Sequence, residues 1–502
     1  MNDVTIPHIP FNLKAVHLIS GDGTALDIAS ITLGFTLYES INNKFVTGDI
    51  TIVDGLNLIK NYRFTGQEHI RLHFDTEPDS VDEKEEPGAT KGIDVTFRVY
   101  KLENVERPKA IVQTYQMKLC DPYMFNANTT RISKVYRGSY SDMLTKVFDE
   151  FGAKGGIESG VIPATIEETK IAKAQFVVPN WRATTFIDWI VKNADNKTGS
   201  WRNSMFFYQT FREGFKFKSI SNMCGTSTKD ETSDIKVLHY PAGAGEVDSY
   251  EGGFPKEVQV LQISKPQVFD TLRATVKGAY ASRSLTYDPV TKIEAKNRYN
   301  ILETFERGGS HVSEPAHPLI RTSDSDKEKF VPFTTMDSNH FEGVVEKKDL
   351  PHLSSLYPNH QENSFVLYDY NTNHDFDNNK SLGDETWEGH KVRDNSRLER
   401  NALLEILKQH KVVVIMPIRT DISVGDVIEL KQSEPELADR DTTDLINDNK
   451  YLVVDSCITV NLSVPGLYGS LQLELVKESF AQEVNEENVS ALLEDDSYEA
   501  EK

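Results

Sequence analysis

Cysteine is scarce. Cys120, Cys224 and Cys457 are the only three in 502 residues, and they lie far apart. They can build neither a disulfide framework nor a CxxC metal site, which fits a reducing compartment. Long apolar runs are missing as well. The densest, Val412–Ile418, is seven residues long and contains a proline. A membrane helix needs roughly 18–20, so no membrane insertion is expected. Met1–Phe11 has no basic stretch leading into an apolar one, so no secretory signal peptide is expected. Positive charge is in deficit: 55 Lys+Arg stand against 77 Asp+Glu, a net charge of −22. A nucleic-acid reader needs a basic face to displace counterions from phosphates, so the balance argues against one. There is no GxSxG elbow, no HExxH and no GxxxxGK[ST] loop. The Gly-rich Pro241–Val247 lacks the strand, helix and third glycine of a dinucleotide site and reads as linker.

What is present is enough apolar side chain, 38% with 10% aromatics, for more than one buried core. The length predicts about three or four domains. The charge is uneven. Asp75–Thr90 carries a net −6 and Glu483–Lys502 a net −7, leaving an ordinary −9 for the rest. Both segments read as solvated, with a docking tail as the minority alternative for such runs.

The first third alternates with period two. Ile31, Leu33, Phe35 and Leu37 interleave with Thr32, Gly34, Thr36 and Tyr38. Ile50 and Ile52 lead to a turn at Asp54-Gly55, and Ile70, Leu72 and Phe74, then Val95, Phe97 and Val99, repeat the pattern. Gln113, Tyr115, Met117 and Leu119 continue it. This predicts an antiparallel sheet with one wet face, as a barrel or sandwich. The texture changes near Cys120. Ser141–Phe151 reads as a helix capped by Ser141, and a second helix starts near Thr184 after Phe176–Trp181. Met205–Thr210 and Phe215–Ile220 read as two strands around a turn at Arg212–Gly214. Residues 121–225 therefore form an α+β unit.

Thr226–Asp234 and Pro241–Gly253 read as linker. β texture returns at Val258–Ile263 and Thr271–Ser282, before a turn at Asp288-Pro289. Arg307–Arg397 is rich in Asn, Asp, His and Ser and reads as an insert of low regularity. Leu398–Gln409 reads as a helix, followed by strands at Lys411–Met416, Asp426–Leu430, Tyr451–Val460 and Leu471–Val476.

Chemistry is hard to find in these residues. Seven of the 13 histidines, His311, His317, His340, His352, His360, His374 and His390, fall in the insert. Their spacing matches no compact ligand pattern; metal at a symmetric contact is the alternative to surface histidine. Asp324-Ser325-Asp326 and Asp375–Asn379 lack the Gly and distal Glu of a calcium loop. Trp181, Phe186 and Trp189 read as helix-start packing, with a carbohydrate platform as the alternative. No catalytic, cofactor-binding or metal residue is named, no cofactor is expected, and the chain is not expected to be an enzyme.

Several stretches together are more specific than any alone. Leu37–Asn57 reads LYESINNKFVTGDITIVDGLN and is followed by a strand carrying Thr65-Gly66-Gln67-Glu68. This resembles the opening of the central baseplate hub family of contractile phage tails, with Glu39, Gly48, Asp54, Gly66 and Glu68 in the motif places. Val177–Ala194 with its Pro179-Asn180-Trp181, and Phe206–Ile220, are similar to the family's inserted domain. Phe269–Asp288 resembles the start of its second tube-like domain, and Val424-Gly425-Asp426 with Leu471–Lys477 its end. The long Arg307–Arg397 departs from the pattern.

The resemblance implies a β-rich multidomain α+β fold: two small antiparallel β-barrel tube-like domains, an inserted α+β domain and a long irregular insert. The first tube-like domain would span residues 1–120, completed by about 226–255. The inserted domain would span 121–225, the second tube-like domain 256–306 and 398–480, the insert 307–397 and an acidic tail 481–502. It further implies a homotrimeric ring that adapts a six-fold tail tube to a three-fold spike and lines a DNA exit channel in the virion. Expected partners are the spike and tail tube proteins, then tape-measure and wedge or other baseplate proteins. DNA would pass through without specific binding. The hub of a related contractile injection system and a tail-associated cell-envelope hydrolase stay open as alternatives. Gly48, Gly66 and Gly425 are expected to serve tight turns, and Pro179-Asn180 a helix entry.

Overall fold

The computed structural model describes residues 11–76, 92–109, 112–152, 164–169, 174–194, 196, 204–225, 235–240, 260–287, 294–301, 310–313, 316–318, 363–368, 398–432, 450–462 and 468–480. The fold is β-rich, with a large antiparallel sheet and few helices. The period-two pattern explains the strands. Thr47–Asp54 alternates half-buried and buried residues throughout, with Gly48, Ile50, Ile52 and Asp54 inward. Val112–Cys120 does the same with Gln113, Tyr115, Met117 and Leu119. Each aliphatic side chain so removed from water contributes about 1.5–3 kcal/mol.

Seven strands form the first half of the sheet. From the edge strand Ala25–Asp27 the order runs Phe11–Ile19, His69–Thr76, Ile93–Lys109, Val112–Cys120, Thr47–Asp54 and Thr32–Ser40, all antiparallel. A short helical turn, Ala29–Ile31, rests on both Phe11–Ile19 and Thr47–Asp54 and curls the half round. The Ile28 amide fixes it by donating to the Val16 carbonyl at 2.9 Å. Ile31 therefore lies in this turn and not in the strand, and a register shift between Thr32 and Gly34 breaks the predicted phase at Leu33.

A second set of six strands follows a similar plan. Gln262–Gln267, His410–Pro417, Tyr468–Lys477 and Lys450–Asn461 pair antiparallel in that order, then Val427–Gln432. Lys236–Tyr240 adds in parallel to Val427–Gln432. The Val260 amide then donates to the His239 carbonyl at 2.7 Å, bringing the last strand back to the chain that enters the first. Among the described residues this is one bond and not a ladder, so neither half closes into the expected β-barrel.

The two halves are one sheet. One edge of Lys450–Asn461 is shared: residues 450–452 pair with Val427–Glu429, and residues 455–461 pair with Gly34–Ser40. A bulge between Val453 and Asp455 separates the two uses. Gly34 allows the approach, because a Cβ there would press on the Val460 carbonyl. Local patterning assigns these strands to separate units, because their pairing spans over 400 residues and leaves no local signal.

The inserted unit has its own core. Helices Tyr140–Gly152 and Ala183–Asn193 bury Met143, Leu144, Val147, Phe148, Phe151, Phe186, Ile187 and Ile190 against hairpin Met205–Thr210/Gly214–Ser219. The first helix is capped by Ser139, not Ser141. The Ser139 Oγ accepts from the Asp142 amide at 3.1 Å, and the Asp142 carboxylate accepts from the Ser139 amide at 3.1 Å. That is a reciprocal capping box.

Two further expectations need correction. Thr271–Ser282 is not all strand. Thr271–Val276 is a helix because Asp270 accepts from the Arg273 amide at 2.9 Å, capping a first turn; the strand is Ala281–Tyr287. The insert also holds regular structure: Asn363–Tyr368 pairs in parallel with Ala281–Tyr287, and His317-Pro318 pairs with Phe480-Ser479. Most of Asp75–Thr90 and of the insert, and all of Thr226–Asp234, Pro241–Gly253 and residues 481–502, lie outside the described residues.

Candidate functional site

The distinctive site is a buried joint where the sheet halves meet the inserted unit. Its centre is Met205–Thr210, in which all six residues are buried. Met205 and Phe207 face the core of the inserted unit, while Phe206 and Tyr208 face the core of the sheet. A strand covered on both faces reads as an unbroken apolar run, and MFFY at its start is one.

Polar groups fasten this strand at three places. Glu39, buried at the end of Thr32–Ser40, accepts from the Phe211 amide at 2.5 Å and, through its other oxygen, from the Val424 amide at 3.4 Å. One carboxylate thus ties the first half, the inserted hairpin and the second half. Asp121, also buried, accepts from the Gln209 side-chain amide and the Tyr123 amide, both at 2.7 Å. The Gln209 carbonyl in turn accepts from the Val46 amide at 3.2 Å. From the helix over residues 398–406, Arg400 donates to the Met205 carbonyl at 2.6 Å and lies over the Phe206 ring. Gly425 has φ +87°, and a Cβ on it would collide with the Tyr208 hydroxyl. Only glycine suits both the conformation and the space.

Burial sets the electrostatics here. It pushes the Glu39 carboxyl up to about 7, against the hydrogen bonds from Phe211 and Val424 and the nearby Lys216 charge; Asp426 adds to the rise. It pushes Asp121 up to about 6, against the donors Gln209 and Tyr123. Arg400 is held down at about 10 by burial. Buried Lys216 pairs with Glu213 at 2.8 Å, and Lys236 pairs with Asp426 at 3.0 Å across the second half. Glu39 and Asp121 spend their oxygens on amides and have almost no exposure, so the joint is built to hold segments together.

The other motif residues shape turns. Asp54 accepts from the Leu56 amide at 2.8 Å, the Leu58 amide at 2.6 Å and the Gln113 side chain at 3.0 Å, organising the chain after Thr47–Asp54. Glu68 accepts from the Thr65 and Gly66 amides, both at 2.7 Å. Burial opposes its charge, but these bonds outweigh it and hold the carboxyl below the ordinary Glu value. Gly66 has φ +82° in that turn. Gly48 is not a turn glycine. It lies inside Thr47–Asp54, where a Cβ would crowd Leu37 and the Thr36 carbonyl. Asn180, at φ +54°, precedes the helix Ala183–Asn193. Of the motif residues, Glu39 and Gly425 are brought together, while Asp54 and Glu68 serve separate turns. Asp121, Tyr208 and Gln209 were missed; only the unbroken apolar run hinted at them.

Of the insert's histidines, His311 and His317 are described. His311 is buried with its Nδ1 3.1 Å from Glu478, which also accepts from the Val312 amide at 3.0 Å. The remaining five lie outside the described residues. Among the described residues no group of three metal-ligating side chains occurs, and no helix is long and apolar enough to cross a membrane. All three cysteines are free thiols.

No family model matches the chain, and no curated protein matches it. Solved structures do resemble it. A tail protein from Neisseria meningitidis is similar over 92% of this chain and 96% of its own, with 9% identity and a TM-score of 0.45. The 43 kDa tail protein of prophage MuSo2 from Shewanella oneidensis is similar over 92% and 98%, with 8% identity and a TM-score of 0.43. An E. coli component of the type VI secretion system is similar over 95% and 79%, with 7% identity and a TM-score of 0.39.

Proposed function

We propose that this chain is the central hub of a contractile phage tail baseplate. The observation that carries this is the shared strand Lys450–Asn461, which joins a seven-stranded and a six-stranded half edge to edge in one chain. Two such halves per chain give six around an axis when three chains meet. That number matches a six-fold tube on one side and a three-fold spike on the other. The ring contact would be heterologous and closed, which sets the assembly size.

The role is mechanical. The trimer receives the tail tube, seats the spike and transmits force during sheath contraction, and no bond is made or broken. The joint around Glu39 suits that load, because it ties both halves and the inserted unit into one body. The net charge of −22 suits a conduit from which DNA must slide freely. Tape-measure and wedge proteins are further partners, and the site of action is the baseplate of the virion. A contractile injection system needs the same part, and the neighbouring genes separate the two.

Native mass spectrometry of the chain co-expressed with its spike tests the proposal. A trimer carrying spike is expected. A stable monomer that binds neither spike nor tube overturns it. Clearing of peptidoglycan in a zymogram would instead establish the hydrolase alternative.

A further inference from the structure

Among the described residues, the two most exposed large apolar side chains are close in sequence. Phe269 is 73% exposed and Leu272 76%, with Val276 and Val268 also at the surface. Leu272 and Val276 lie four residues apart on one face of the helix Thr271–Val276, and Val268 and Phe269 in its lead-in are exposed as well, so this stretch presents an apolar stripe to solvent. The other side of this helix is satisfied: Ala274 and Ala279 are buried in the sheet core.

The stripe is edged with positive charge in a strongly acidic chain. Lys265, Arg273 and Lys277 are all exposed around it. The two acids nearby are engaged: Asp270 caps the helix, and Glu405 faces Arg273 at 3.3 Å and Lys408 at 2.7 Å. Among the described residues neither Lys265 nor Lys277 has an ion-pair partner. The adjoining strand Gln262–Gln267 ends the sheet and carries Pro266, whose missing N–H discourages strand addition. The surface therefore suits an occupant that docks by side chains and brings apolar anchors between carboxylates.

The chain contains such a segment, and it leaves the described structure beside the stripe. Phe480 lies against the His410 ring, with centroids 5.5 Å apart. Next to His410, the Gln409 side chain accepts from the Asp270 amide at 2.7 Å, at the start of the helix. After Phe480, Glu483–Lys502 holds eight acids and one Lys, with Val489, Leu492 and Leu493 at positions i, i+3 and i+4 among them. The nine residues from Phe480 to Val489 can span about 30 Å.

We propose that residues 481–502 dock in cis on this stripe, with Val489, Leu492 and Leu493 against Phe269, Leu272 and Val276 and the flanking carboxylates facing Lys265, Arg273 and Lys277.

Hydrogen–deuterium exchange on the full chain tests this. The double variant Leu492→Ser/Leu493→Ser should speed exchange of amides 268–277 about fivefold or more. Phe269→Ser/Leu272→Ser should do the same to residues 486–496, and Lys265→Glu/Lys277→Glu or 0.5 M salt should act in the same direction. Thermal unfolding of each variant checks that the sheet is intact, since every changed side chain is at the surface or outside the described core. Unchanged exchange at 268–277 in Leu492→Ser/Leu493→Ser overturns the proposal. So does protection that rises with protein concentration, which makes the occupant a second copy, or protection that appears only when spike is added.

Discussion

The two cores of the molecule are built from different side chains. The sheet core is aliphatic: among the described residues only seven of its 53 buried members are aromatic, including Phe35, Phe74, Phe97 and Tyr115. In the inserted unit nine of the 20 described core members are, including Phe148, Phe186, Phe207, Phe215 and Phe217. A pleated sheet presents even rows that branched chains fill. A small unit of short helices and a hairpin has little area per residue, and large rings supply more. The difference teaches where the two bodies are coupled, because Met205–Thr210 contributes to both.

The strongest way to break that coupling is Phe207→Ala. Phe207 stacks on Phe215 with centroids 5.7 Å apart and meets Phe148 at 5.5 Å. The loss should cost about 3–5 kcal/mol and fall on the inserted unit first. Urea unfolding should then split into two transitions, and a single transition at the wild-type midpoint would show that the cores are not joined there.

Next in size is a pH effect at Glu39. Its folded-state value near 7 lies above the ordinary 4.5. Its contribution to stability is therefore complete below about pH 4.5 and is lost as pH rises through 7. For a shift of this size the loss is at most about 3 kcal/mol. Glu39→Gln should remove this part of the pH dependence. Comparing urea midpoints of the two proteins at pH 5 and pH 8 checks it, and parallel changes would refute it.

Ser139→Ala sharpens the comparison within the inserted unit alone. Removing one arm of the capping box should cost about 1 kcal/mol. It should lower the first transition of the Phe207→Ala background and leave the second in place. The smallest effect belongs to the wet face of the sheet. Arg71 and Asp94 form a two-bond pair at 2.9 and 2.6 Å, but both are more than 40% exposed. Arg71→Ala should change stability by less than about 1 kcal/mol, and a larger loss in the urea midpoint would mean that the pair is shielded from solvent.

Much of this was legible in local patterns. Ile50–Ile52, Val95–Val99 and Leu471–Leu475 announce their strands by alternation, and Met143–Phe151 announces its helix by spacing. Thr271–Val276 was misread because Ala274, Thr275 and Val276 look strand-like, and the cap at Asp270 decides otherwise. The joint was half legible. Glu39 and Gly425 stood out as motif residues, but nothing local shows that they meet, since they are linked through Val424 across 385 residues.

By itself the amino-acid order determined the period of each segment, the turns at Asp54, Gly66 and Gly214, and the contrast between an aliphatic and an aromatic region. These depend on neighbours a few residues apart, where sterics and side-chain alternation act directly. Only the tertiary structure decided that Lys450–Asn461 would divide one edge between two partners, and that Met205–Thr210 would be buried on both faces. Strand pairing uses backbone groups that every residue carries, so the chain order cannot mark which distant edge will be chosen; shape and packing of the assembled halves make that choice.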